Sequence, residues 1–150
     1  MSPGDIDLKV VAQRAFWISQ MMDSLKDLRL EEKAAFLADR HKIAAAESYL
    51  RRALEALFDI GRHILAKRFA YPATEYKEIA KGLSENKVLV EKEGELMRKM
   101  AGYRNRMVHF YHEITPEELH EICLYHLNEV KLLADKLVQW TKEHQNSATN

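Results

Sequence analysis

Apolar residues recur along this chain at helical spacing, and no segment alternates as a strand would. Val10, Trp17, Met21, Leu25 and Leu28 make one stripe and predict a helix over residues 6–28. A longer pattern predicts a second helix over residues 31–69. There Phe36, Ile43, Leu50, Leu57 and Ile64 fall at seven-residue intervals, with Ala46, Ala53 and Ile60 in the alternate seam positions. Such a heptad suits packing on another long helix at a shallow angle, and its alanines let two backbones approach. The seam fits the inside of a bundle or the contact between two copies, and the pattern leaves both open. Pro72 in Tyr71-Pro72-Ala73-Thr74 breaks this helix. A short helix is expected over residues 75–82, with Thr74 as a cap and Gly82 as its stop. The next helix runs from near Leu89 to His109 with Leu96, Met100, Tyr103 and Met107 inward. Thr115-Pro116-Glu117-Glu118 predicts a capping box, with Pro116 at the first helical position. The last helix carries Leu119, Ile122, His126, Val130, Leu133, Leu137 and Trp140 on one face. The fold expected is all-α, an up-and-down four-helix bundle with an additional short helix.

Composition narrows the function classes. The 150 residues suit a single domain over 1–150, with a frayed polar tail from about residue 144. Lys+Arg total 23 and so do Asp+Glu, so no whole-molecule field draws in nucleic acid, and a basic site has to be local. The lone Cys123 cannot form an internal disulfide and reads as a small buried residue. MSPGDIDLKV lacks the basic and apolar regions of a signal peptide, and no apolar run reaches membrane-spanning length. The expectation is a cytoplasmic protein with no membrane association.

One stretch, RNRMVHFY at residues 104–111, carries more chemistry than a core needs. Arg104 lies on the flank of the inward stripe. His109 lies about 140° further round an ideal helix, so the two converge only if the helix ends there and the chain turns. His is the side chain that moves protons near neutral pH, and Arg offers a planar, permanently charged fork to phosphate oxygens. His63 sits four residues after Asp59, which fits either a surface pair or a contribution to the same groove. His112 and Arg106 are further neighbours of the motif. His109 and His112 suggest no metal site, because no convincing third ligand accompanies them. His126 reads as a partly buried, hydrogen-bonded residue, and the methionines as core filler.

The run Met100-Ala101-Gly102-Tyr103-Arg104-Asn105-Arg106-Met107-Val108-His109-Phe110-Tyr111 resembles the signature of the HEPN superfamily. More narrowly it resembles the HepT-type branch, whose motif is Arg, four residues, His, one residue, Tyr. Glu113-Ile114-Thr115-Pro116 and Asp59-Ile60-Gly61-Arg62-His63-Ile64-Leu65 resemble that branch too. The resemblance implies a metal-independent ribonuclease toxin, active as a homodimer and needing no cofactor. In it His109 would move protons, Arg104 would stabilise the transition state and Asn105 would orient the phosphate or His109, with Arg106, His112, Asp59 and His63 as possible supports. It also implies a partner, an MntA-like nucleotidyltransferase antitoxin of a type VII-like pair, which transfers AMP to Tyr111. The same motif on a non-catalytic helical subunit, binding nucleotide or substrate for such a nucleotidyltransferase, is the alternative.

Overall fold

The computed structural model describes residues 4–108 and 114–145. Its helices are α1 (Leu8–Lys26), α2 (Lys33–Leu37), α3 (Arg40–Phe69), α4 (Tyr76–Glu85), α5 (Glu91–Val108), α6 (Pro116–Tyr125) and α7 (Leu127–His144). The architecture is an all-α bundle built around α3, which packs along α1 and also meets α4, α5, α6 and α7. The expected tail residues 146–150 lie outside the described residues.

Caps set the starts. The Asp7 carboxylate accepts from the Lys9 and Val10 N–H groups ahead of α1. The Thr115 hydroxyl accepts from the Glu118 N–H at 3.1 Å, with Pro116 opening α6 as expected. The Glu118 carboxylate, which a reciprocal capping box would turn back to Thr115, is instead held by Arg106 at 2.6 and 2.8 Å. Left-handed backbone at Arg29 (φ 54°), Ala70 (φ 51°) and Lys87 (φ 61°) turns the chain after α1, α3 and α4, all without glycine.

Two expected helices are interrupted. The segment 31–69 divides into α2 and α3, because the Asp39 carboxylate leaves the helix path and accepts from the His41 and Lys42 N–H groups at 2.9 and 3.2 Å. The last helix divides at His126, whose φ of −113° and ψ of 0° break the ladder between α6 and α7. The short helix differs as well. It starts from Glu75, not Thr74, without a side-chain cap, and it runs past Gly82 to Glu85. Gly82 serves packing: a Cβ there would meet the Tyr71 ring at 2.9 Å and Leu65 at 3.0 Å.

The heptad seam is internal. Phe36, Ala46, Leu50, Ala53, Leu57, Ile60 and Ile64 are buried by the chain's own helices. On α1 the buried face is Val11, Ile18, Met21, Met22 and Leu25, one position round from the expected stripe. Trp17 consequently stands 39% exposed rather than inward. Cys123 is buried, and His126 is half-buried and bonded to Glu129 at 3.0 Å, as the sequence suggested. Among the described residues no helix is long and apolar enough to cross a membrane.

Candidate active site

The seam turns one face of α3 inward and leaves the opposite face polar. Arg51, Glu55, Asp59 and Arg62 fall on that outer face at spacings of four, four and three. Arg104 reaches it from α5. Its Nε and Nη2 donate to the Glu55 Oε2 at 3.2 and 3.0 Å. Arg51 donates to the other Glu55 oxygen at 3.1 Å, so one carboxylate joins two guanidinium groups. The Arg104 guanidinium also lies 4.4 Å from the centre of the Tyr76 ring, a cation–π contact. Tyr76 in turn stacks on the buried Phe58 at 4.9 Å. Arg104 is thus fixed in position and orientation while 24% of its side chain stays exposed. Pairs this accessible contribute at most about 1 kcal/mol each to stability, so the network matters more for orientation.

Beside Arg104 lies a groove of about 460 Å³ lined by Arg62, Thr74, Glu75, Tyr76, Arg104 and Asn105. Arg62 closes its far side by donating to the Asp59 carboxylate and the Thr74 carbonyl, each at 3.3 Å. Asp59 accepts from Arg14 Nε at 3.2 Å as well. Burial pushes the Tyr76 phenol above its usual range, with the Arg104 charge pulling the other way. The wall of the groove is therefore a neutral phenol framed by guanidinium groups, which suits an anionic ligand.

The structure separates the candidate residues. Arg104 and Asn105 share the groove, and Asp59 joins it through Arg62. Arg106 instead ties α5 to α6 through Glu118. His63 turns away from Asp59. Its Nε2 accepts the Asp7 N–H at 2.9 Å and so braces the start of α1. Burial first, and the Lys67 charge second, hold the His63 pKa below its usual value, against the pull of Asp7. His109, Tyr111 and His112 lie outside the described residues. Among the described residues no group of three or more His, Cys, Asp and Glu could hold a metal ion.

Sequence reasoning missed Glu55 and Tyr76, the two residues that hold Arg104. The polar face 51–55–59–62 opposite the heptad was the available signal for Glu55; nothing local marked Tyr76. It also missed His120, a buried histidine that donates to the Leu30 carbonyl at 2.6 Å and lies against Phe36.

The sequence matches the family model described as ribonuclease HepT-like over residues 18–137. Comparison with curated proteins gives no match. The fold is similar to that of the tri-AMPylated Shewanella oneidensis HEPN toxin in complex with MNT antitoxin, with a TM-score of 0.78, 20% identity, and 85% of this chain and 96% of that one covered. It is similar to a chain of a toxin–antitoxin crystallised with AMP-PNP (TM-score 0.77, 19% identity, 85% and 97% covered). A mutant MntA–HpeT toxin–antitoxin gives a TM-score of 0.77 at 18% identity, with 85% and 97% covered. At these identities the likeness is one of fold.

Proposed function

This chain belongs to the ribonuclease HepT-like family, and on that premise we propose that it is a metal-independent RNA endonuclease acting as one HEPN-like domain per copy of a homodimer. The observation that supports this reading most is Arg104, the first residue of the motif. Glu55 and Tyr76 hold it at the edge of a groove, its Nη1 without a partner among the described residues. RNA carries its own nucleophile. His109 takes the proton of the 2′-hydroxyl as that oxygen bonds to phosphorus, and the bond from phosphorus to the 5′-oxygen breaks. Arg104 stabilises the charge on the non-bridging oxygens, and Asn105 orients the phosphate. One imidazole cannot serve as base and acid at the same moment. A second copy of the motif across the cleft supplies the proton to the leaving 5′-oxygen, and the products are a 2′,3′-cyclic phosphate and a 5′-hydroxyl.

The solved toxin–antitoxins of the same fold support a regulated toxin whose partner is an MntA-like nucleotidyltransferase. Tyr111, two residues beyond His109, is the proposed acceptor of AMP. Its modification adds an anionic phosphate and a bulky base within the motif and blocks RNA.

Partner-free protein, shown to be unmodified by intact mass, is incubated with a bulk RNA pool in EDTA beside His109→Ala. Cleavage by the unaltered chain alone, leaving cyclic phosphate ends, is the expected result. Magnesium-dependent products with 3′-hydroxyl ends would overturn the mechanism. Folded dimers that do not cut would shift the reading to a helical subunit that binds phosphate for its nucleotidyltransferase.

A further inference from the structure

A second groove, of about 370 Å³, runs between α1 and α3 and is lined by Gln13, Arg14, Trp17, Arg52, Glu55, Ala56 and Asp59. It shares a wall with the Arg104 groove. Glu55 and Asp59 line it directly, and the same carboxylates hold Arg104 and Arg62 on the other side. The two grooves are thus two sides of one polar ridge on α3.

Two residues of this second groove, Trp17 and Arg52, are exposed, and no ion pair or ring contact holds them among the described residues. Trp17 is 39% exposed, on the flank of the buried face of α1, one position before Ile18. Arg52 is exposed and has no ion pair among the described residues, unlike Arg14, Arg51, Arg62 and Arg104. The two carboxylates on the floor are each already bonded by two arginines. Across the two grooves Arg14, Arg51, Arg52, Arg62 and Arg104 outnumber Glu55, Asp59 and Glu75, leaving local positive charge on a chain whose net charge is zero. An accessible aromatic face beside a free guanidinium is what single-stranded nucleic acid uses: bases stack on the ring while cations follow the phosphates.

We infer that the Trp17–Arg52 groove is a substrate subsite, holding a nucleotide that neighbours the phosphate at Arg104. A base stacks on Trp17, Arg52 takes its phosphate, and the strand crosses α3 over the Glu55–Asp59 ridge. This rests on the ribonuclease reading for the nature of the ligand, but it concerns binding and not cleavage. The groove accepts any base with a π-face, so it adds affinity and fixes strand direction without reading sequence.

The probe is a fluorescein-labelled single-stranded RNA in which every 2′-hydroxyl is methylated, so that it binds and cannot be cut. Anisotropy gives its affinity. In a Trp140→Phe background, Trp17 supplies the tryptophan emission that reports where the strand lies. The expected result is saturable quenching of Trp17. Trp17→Ala weakens binding roughly 5- to 100-fold. Arg52→Gln, an exposed change that leaves the core intact, weakens it and lowers the logarithmic salt slope by about 0.7. Affinity unchanged in both Trp17→Ala and Arg52→Gln, each shown to be folded, would overturn the inference, while unmodified RNA still cut by the same proteins would leave the ribonuclease reading standing. A Trp17→Ala protein that becomes monomeric in sedimentation, with RNA affinity per chain unchanged, would assign the patch to a second copy and overturn the subsite. Folded protein that neither binds this RNA nor cuts the unmethylated one would remove the ribonuclease reading and the subsite with it.

Discussion

Arg104 is held as the charge stabilisation proposed for it requires. Its fork is aligned by one carboxylate oxygen and by a ring face. Lysine at this position keeps the charge but loses the planar fork, the stacking on Tyr76 and the two-point hold on Glu55. Arg104→Lys is therefore expected to lower kcat about 100-fold or more while the melting temperature stays close to that of the unaltered chain. A kcat within a few-fold would remove Arg104 from the transition state. His63 acts on stability instead. Its ring accepts the Asp7 N–H and so must be neutral, and burial holds its pKa below 6.5 in the folded chain. The unfolded chain takes up the proton first as the pH falls through 6.5, so this contribution is full above that value and is lost as the pH drops toward the folded pKa. His63→Gln keeps an acceptor for Asp7 and cannot titrate. Its stability is expected to fall less steeply than that of the unaltered chain below pH 6.5, by urea unfolding across a pH series. Parallel slopes would show that His63 is not the titrating group.

At the scale of elements, most of the fold was legible in apolar spacing, because a helix that buries one face must repeat near 3.6 residues. The heptad marked one buried line of α3, Ala46, Leu50, Ala53, Leu57, Ile60 and Ile64, with Ile43 half-buried; Leu54, Phe58, Gly61 and Leu65 lie outside it and are buried because α3 packs on several sides. What spacing could not show was where a polar side chain takes over the backbone. Asp39 is a single residue within a run of helix formers, and only its bonds to the His41 and Lys42 N–H groups reveal the break. The Lys42 N–H in particular holds the Asp39 carboxyl below its usual pKa. Asp39→Ala removes that cap from the longest helix and is expected to lower the urea midpoint at neutral pH. Asp39→Asn, which keeps the acceptor, should restore most of it; no difference between the two would mean that the cap is unimportant. The candidate site was legible only in part for a related reason. Arg104 and Asn105 belong to a contiguous motif. Glu55 lies 49 residues away and meets Arg104 only because α3 and α5 pack side by side.

At the scale of the whole molecule, the heptad and the polar ridge are two faces of one helix with different tasks. Apolar positions of α3 hold the bundle together, and its charged positions hold the groove. This division leaves the seam unavailable to a second copy, since Ala46, Ala53, Leu57 and Ile60 are already covered within one chain. Ala53→Leu tests that arrangement. Ala53 is fully buried, so three added carbon and methyl groups must displace neighbours in a close-packed interior. The expected cost is about 1–3 kcal/mol of unfolding free energy. Self-association of the folded chain, measured by sedimentation equilibrium, is expected to stay unchanged because the disturbed contacts are internal. A seam shared between copies predicts the reverse: a dissociation constant raised by the substitution, and a loss of stability that shrinks as protein concentration rises. The same comparison separates the two tasks of α3. Ala53→Leu lowers stability with the Glu55–Arg104 contact left in place, whereas Glu55→Ala leaves the seam intact and releases Arg104. If orientation of Arg104 is what Glu55 contributes, the second variant loses RNA cleavage at temperatures where both proteins remain folded, and the first does not.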